Sequence, residues 1–140
     1  MKNWLIQIEG IDKTGKDLLV GYLQQYSDFK YVPYSRGIVS LLVYTEKYKR
    51  NYKYDLSSII TKDWVFVYLD YDVEDIKIRH KLTNHDFMQY MDDYELFEKY
   101  LKQIESLGCK VLRYNVSKQT YIEITKDIIK KLEKLENGKI

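Results

Sequence analysis

The chain has 140 residues, room for one domain, and its 45% hydrophobic and 15% aromatic residues suffice for a core. With 31% charged residues and a formal net charge of +2, it is neither a disordered chain nor a basic coat for nucleic acid or a polybasic membrane anchor. One cysteine, Cys109, excludes an internal disulfide, and no apolar run nears the roughly 20 residues that span a bilayer, so a cytoplasmic protein in a reducing compartment is expected.

In chain order, "WLIQIEG" predicts a short buried strand ending at Gly10, and "KDLLVGYLQQY" a helix with Leu18, Leu19, Tyr22, Leu23 and Tyr26 at helical spacing. "KYVPYSRG" is extended, and Pro33 confines it to a sheet edge or strand end. "IVSLLVYTEKYKRNYKY" returns to helical spacing through Ile38, Leu41, Leu42 and Tyr48 before turning basic. The near-continuous apolar run Trp64 to Leu69 predicts a strand buried on both faces. A helix follows with Asp72 as its cap, and then an amphipathic helix ending at Gly108. The acidic run Asp92, Asp93 and Glu95 is expected to start that helix and complement its dipole. "CKVLRYNVS" is the last strand, with Cys109 expected in the core. The last helix turns Ile122, Ile128, Ile129, Leu132 and Leu135 inward.

Strands alternating with helices predict parallel pairing through right-handed crossovers. The expected class is α/β, a three-layer α/β/α fold with a small, mostly parallel sheet, and residues 1–140 form one domain. Ligands of such sheets bind at the carboxyl ends of the strands.

"GIDKTGKD", residues 10–17, lies at one of those ends. It follows the phosphate-binding pattern of Gly, four residues, Gly, Lys, except that Asp17 stands where Ser or Thr is usual. Gly10 and Gly15 let consecutive backbone N–H groups wrap an anion. The helix that follows adds its positive end, and Lys16 adds a full charge. The loop residues Gly10, Ile11, Asp12, Lys13, Thr14, Gly15, Lys16 and Asp17 are therefore the candidate nucleotide-phosphate site.

"IEGIDKTGK" resembles the opening of the thymidylate kinase family, whose loops read IEG-x-D-x-x-GK. The resemblance implies that Asp12 contacts a sugar hydroxyl and that Lys13 stabilises the transferring phosphoryl group, with charge but without an arginine fork. "SRGIVSLLVY" resembles the family's DR-x-x-x-S-x-x-x-Y segment, with Arg36, Ser40 and Tyr44 matching and Ser35 in place of the aspartate. By resemblance Arg36 grips the acceptor monophosphate, Tyr44 or a neighbour stacks on its base, and Arg79, with Lys81, belongs to a lid. "YELFEKYLKQIESLGCKVLRYNVS" is similar to the family's last helix, strand and adenine-passing loop. The chain is shorter than a full member, and whether "KYVPYSRG" matches the family's second or third strand stays open.

What the resemblance implies is a phosphate-binding-loop kinase that moves the ATP γ-phosphoryl group to a nucleoside monophosphate, with deoxythymidylate first. The cofactors implied are ATP and Mg²⁺, with Lys13, Lys16 and Arg79 catalytic and Asp12, Arg36 and Tyr44 on the acceptor. Asp17 is the candidate Mg²⁺ ligand, and Glu9, Asp12 and Asp17 are the carboxylates left near the loop. Two alternatives stay open: a degenerate nucleotide-binding relative acting through a protein partner, and a polynucleotide 5′-end kinase. The expected partner is a small-molecule nucleotide, with a homodimer left open and neither membrane nor nucleic acid expected. Tyr44, Tyr48, Tyr52 and Tyr54 interleave with Lys47, Lys49, Arg50 and Lys53, which reads as a wet helix face rather than a single-strand platform. His80 and His85, on an expected loop, make no metal site.

Overall fold

Four strands form one sheet in the order β2-β1-β3-β4, with every neighbouring pair parallel. They are β1 (Leu5–Glu9), β2 (Tyr34–Ser35), β3 (Trp64–Asp70) and β4 (Lys110–Asn115). The helices are α1 (Lys16–Tyr26), α2 (Ile38–Lys47), α3 (Val73–Arg79), α4 (Asn84–Ser106) and α5 (Tyr121–Glu136). The computed structural model describes residues 4–11, 14–51, 54–56, 63–79, 81 and 83–138, with only the backbone of Arg79, Asn84 and His85.

The register Leu5↔Trp64 to Glu9↔Tyr68 puts β1 and β3 side chains in common rows. Ile6, Ile8, Val65, Val67 and Leu69 are fully buried. They share a face with Tyr114, whose hydroxyl donates to Asp127 of α5 at 2.6 Å. α1 and α5 cover this aliphatic side. The other face is aromatic: Tyr68 stacks on Phe97 of α4, and Tyr44 of α2 meets Phe97 edge-on. Thus β3 is buried on both faces, and the sheet is the middle of three layers.

Pro33 immediately precedes β2, which pairs only with Gln7 and Ile8, so the proline lies at a sheet edge as the sequence predicts. The chain leaves β1 toward that edge and returns across β1 to build β3 on the other side. The carboxyl end of β1 is therefore where the strand order reverses.

Several sequence expectations are corrected. α4 starts at Asn84, capped by the Thr83 hydroxyl, which accepts from the Asp86 N–H at 3.1 Å. Asp92, Asp93 and Glu95 therefore lie inside α4 rather than at its start, and buried Asp93 pairs with Lys47 at 2.8 Å. The start signal is local capping chemistry, which outweighs the acidic run as a boundary. His85 consequently belongs to the first turn of α4 and not to a loop, while His80 lies outside the described residues.

On α2 the buried residues are Ile38, Val39, Ser40 and Val43, whereas Leu41 and Tyr48 are exposed. On α1 the buried apolar positions are Leu19 and Leu23, with Leu18 and Tyr26 exposed. On α5, Ile124 takes the inward position expected of Ile122, which is exposed. Cys109 precedes an edge strand and is only half-buried, because among the described residues no further strand covers β4 on its outer side. Asp72 holds the capping position expected of it through its backbone, whose carbonyl accepts from the Ile76 N–H at 3.2 Å.

Candidate phosphate site

Gly10 leaves β1 at φ 150°, and a Cβ there would come within 2.8 Å of the Leu69 carbonyl. The chain must turn this close to β3 to bury Ile11, which is fully enclosed. Gly15 has φ 83°, and a Cβ there would strike the Tyr121 hydroxyl at 2.2 Å. Both glycines of the motif are thus fixed by a neighbour's proximity as well as by backbone conformation.

The described part of the loop closes on itself. Thr14 Oγ1 donates to the Ile11 carbonyl at 2.9 Å, and Lys16 Nζ donates to the same carbonyl at 2.7 Å. Lys16 also reaches Thr14 Oγ1 at 3.5 Å and is only 6% exposed. Its ammonium is held over the loop by the Ile11 carbonyl, and a phosphate oxygen would be a stronger acceptor than that carbonyl. Asp17 is exposed in the first turn of α1, where its charge suits the helix dipole. The N-cap of α1 is Gly15, which has no side chain with which to cap the helix. Asp12 and Lys13 lie outside the described residues, as does the side chain of Arg79.

Arg36 is exposed and in the left-handed region at φ 69°, and its N–H donates to the Ile8 carbonyl at 2.8 Å. The residues after it are tied to β1. The Glu9 carboxylate accepts from the Gly37 N–H at 2.6 Å, the Ser40 N–H at 2.7 Å and the Ser40 hydroxyl at 2.9 Å. Gln7 Oε1 accepts from the Ile38 N–H at 2.7 Å. Burial pushes the Glu9 carboxyl above its ordinary pKa, opposed by the Gly37 and Ser40 donors and by nearby Lys16. Glu9 thus faces α2, which removes it from the carboxylates available at the loop. Ser35, in the aspartate position of the resemblance, is the last residue of β2 and pairs with Ile8.

Tyr121 was not legible as a site residue. From the first turn of α5 its hydroxyl donates to the Thr14 carbonyl at 2.9 Å, bracing the loop from the far side. It also lines a cavity of about 420 Å³ with Tyr22 and residues Val116 to Ile122, in the β4–α5 loop expected to pass a base. The only signal for Tyr121 is the Thr120–Glu123 capping box, which marks the helix start but not its neighbour.

Tyr44 is half-buried between Phe97 and Tyr48, the latter ring stacked at 6.2 Å. Lys47 lies over both the Tyr44 and Tyr48 rings, and Arg50 over Tyr48, so this part of the tyrosine–lysine stretch is internally paired. Tyr52 and Lys53 lie outside the described residues. Lys81 is exposed at φ 49° in the turn between α3 and α4. Among the described residues no cluster of three or more His, Cys, Asp or Glu could hold a metal, and no helix is long and apolar enough to cross a membrane.

No family model and no curated protein matches the chain. Among solved structures it is similar to the crystal structure of the YorR protein from Bacillus subtilis in complex with phosphorylated GDP. The two are 22% identical, the match covers 95% of this chain and 98% of that one, and the TM-score is 0.70. At this identity the likeness is one of fold.

Proposed function

We propose that this chain is an ATP-dependent nucleotide kinase that transfers the γ-phosphoryl group to a nucleoside or deoxynucleoside monophosphate, with deoxythymidylate the first candidate. The observation that carries the reading is the loop itself. Gly10 and Gly15 have backbones that favour glycine, Lys16 is folded over the loop, and the turn stands where the strand order reverses. That a protein of this fold, YorR, was crystallised with phosphorylated GDP supports a nucleotide as the ligand.

In this reading the loop backbone and Lys16 hold the outer donor phosphates, and the cavity beside Tyr121 takes the donor base. Arg36 grips the acceptor phosphate, Asp12 meets the acceptor sugar, and Tyr44 borders its base. Lys13 and Arg79 neutralise the phosphoryl group in flight. An acceptor phosphate oxygen attacks the γ-phosphorus, the bond to the β–γ bridging oxygen breaks, and ADP leaves with that oxygen. Positioning and charge do the remainder.

Mg²⁺ is compatible with the residues present, because it is usually bound by one or two carboxylates together with phosphate oxygens and water. Asp17 is exposed at the loop, whereas Glu9 is held by α2 and Asp70 by the Tyr71 N–H and the Tyr94 hydroxyl. When bound, Mg²⁺ would neutralise donor phosphate charge beside Asp17.

The test is incubation with labelled ATP, Mg²⁺ and a panel of nucleoside monophosphates that includes dTMP and GMP. A diphosphate product is expected, with turnover kept or raised in Asp17→Ser. ATP binding without product in either protein would replace the kinase with the second reading, a nucleotide-binding relative acting through a protein partner. The specific observation favouring that second reading is the carboxylate of Asp17 beside the phosphates.

A further inference from the structure

The first turn of α5 and the loop before α1 meet through one side chain. Tyr121 crosses from α5 to the loop, where its hydroxyl donates to the Thr14 carbonyl at 2.9 Å. Its ring lies against Gly15, since a Cβ there would stand 2.6 and 2.8 Å from two ring carbons. Tyr22 of α1 and residues Val116 to Ile122 of the β4–α5 turn wall the cavity of about 420 Å³. Tyr121 bridges these two elements, so one residue touches the cavity and the loop at once.

The residue that Tyr121 holds is the centre of the loop's own bonding. Thr14 is fully buried, and its hydroxyl donates to the Ile11 carbonyl at 2.9 Å. Lys16 Nζ donates to that same carbonyl at 2.7 Å and reaches Thr14 Oγ1 at 3.5 Å. Gly15, between Thr14 and Lys16, is the N-cap of α1. A displaced Thr14 carbonyl therefore disturbs both the lysine and the helix start. Tyr121 itself is half-buried, so its ring is not packed on every side.

We infer that Tyr121 is a positioning residue that couples the two halves of the donor nucleotide: an aromatic base in the cavity holds the Tyr121 hydroxyl on the Thr14 carbonyl, and the loop then binds a triphosphate more tightly. The inference rests on the reading of this loop and cavity as the donor site. The flat faces of a base suit a wall that includes Tyr22 and Tyr121. Ordering Tyr121 costs rotamer freedom, and once one half of the ligand has ordered it the other half binds without that loss. The coupling is reciprocal, so a triphosphate strengthens base binding by the same factor.

The test supplies the two halves separately. Inorganic tripolyphosphate is titrated into the full chain with Mg²⁺, with and without excess adenosine or guanosine, and its affinity is read by calorimetry. In the wild type at least one nucleoside should tighten tripolyphosphate about fivefold, the size of one net hydrogen bond. In Tyr121→Phe, which keeps the ring and removes the hydroxyl, the factor should fall below about twofold. A residue that only stabilises the fold would leave that factor unchanged. In the ¹⁵N-labelled wild type the nucleoside alone should also shift the amide resonance of Gly15, which abuts Tyr121 but does not line the cavity. No tightening by either nucleoside, an unmoved Gly15, an undiminished factor in Tyr121→Phe, or loss of tripolyphosphate binding by that variant without any nucleoside would each overturn the coupling. Failure of the wild type to bind tripolyphosphate under either condition would instead remove the donor site beneath it. The Gly15 shift needs no variant, so it decides the matter even where Tyr121→Phe fails to fold.

Discussion

Each described strand leaves the carboxyl edge of the sheet for a helix, and the turns into α1 and α2 treat the helix start differently. At α1 the N-cap is Gly15, which offers no side chain of its own, and Lys16 bends back over the loop. At α2 the N-cap is Gly37, and β1 supplies the acceptors instead, Gln7 for Ile38 and Glu9 for Gly37 and Ser40. The second helix has its acceptors supplied from within the protein. The first instead has a lysine ammonium folded over the loop that precedes it. A glycine at the N-cap therefore does not define an anion site; the neighbouring strand decides whether the helix start is already filled.

The largest effect should come from removing the built-in acceptor. Glu9→Ala leaves two N–H groups and a hydroxyl at the start of α2 without their acceptor and should cost about 3 kcal/mol in chemical denaturation. The pH dependence sharpens the point. Burial raises the Glu9 pKa above its unfolded value, so its contribution is fully present below the unfolded carboxyl pKa and is lost as pH rises through the folded one. Stability of the wild type against that of Glu9→Gln, measured across mildly acidic to neutral pH, should converge in this direction, and a flat difference would reject it.

The open turn should yield to Gly15→Ala. The added methyl meets the Tyr121 hydroxyl at a backbone φ of 83°, so about 1–2 kcal/mol of stability should be lost, along with the Tyr121–Thr14 bond. Tyr121→Phe in the same chain should remove the hydroxyl clash but neither the close ring carbons, at 2.6 and 2.8 Å from the added methyl, nor the backbone strain, so only part of the loss should return. Full recovery on thermal melting would show that the hydroxyl contact outweighs both the ring contacts and the left-handed conformation.

The smallest effect is expected where an ion pair is exposed. Lys99 pairs with Glu46, whose pKa is lowered chiefly by the Lys99 hydrogen bond. This contribution is present above the unfolded carboxyl pKa and fades as pH falls through the folded one, opposite in sign to Glu9. Screening by solvent limits it, so Lys99→Ala should cost below about 1 kcal/mol and less still in high salt.

Much of the fold was readable because it depends on repeating local patterns. The unbroken apolar run at Trp64–Leu69 became the doubly buried β3, and Pro33 marked the edge. Phase errors arose where several apolar letters crowd one helix, as with Leu41 against Val43 or Ile122 against Ile124, since spacing alone leaves neighbouring faces equivalent. The start of α4 was missed because Thr83 precedes a polar stretch whose charges gave no inward stripe.

What the sequence determined by itself is a strand, a glycine-bounded loop and a helix in order, because turn geometry and hydrophobic period are encoded within a few residues. Only the tertiary structure decided that Glu9 serves α2 rather than the loop, that Tyr121 braces Thr14, and that Gln7 is left with an unmatched donor. Each of these joins residues at least 28 positions apart or depends on which side chain a neighbouring strand presents, and no local pattern records such distances.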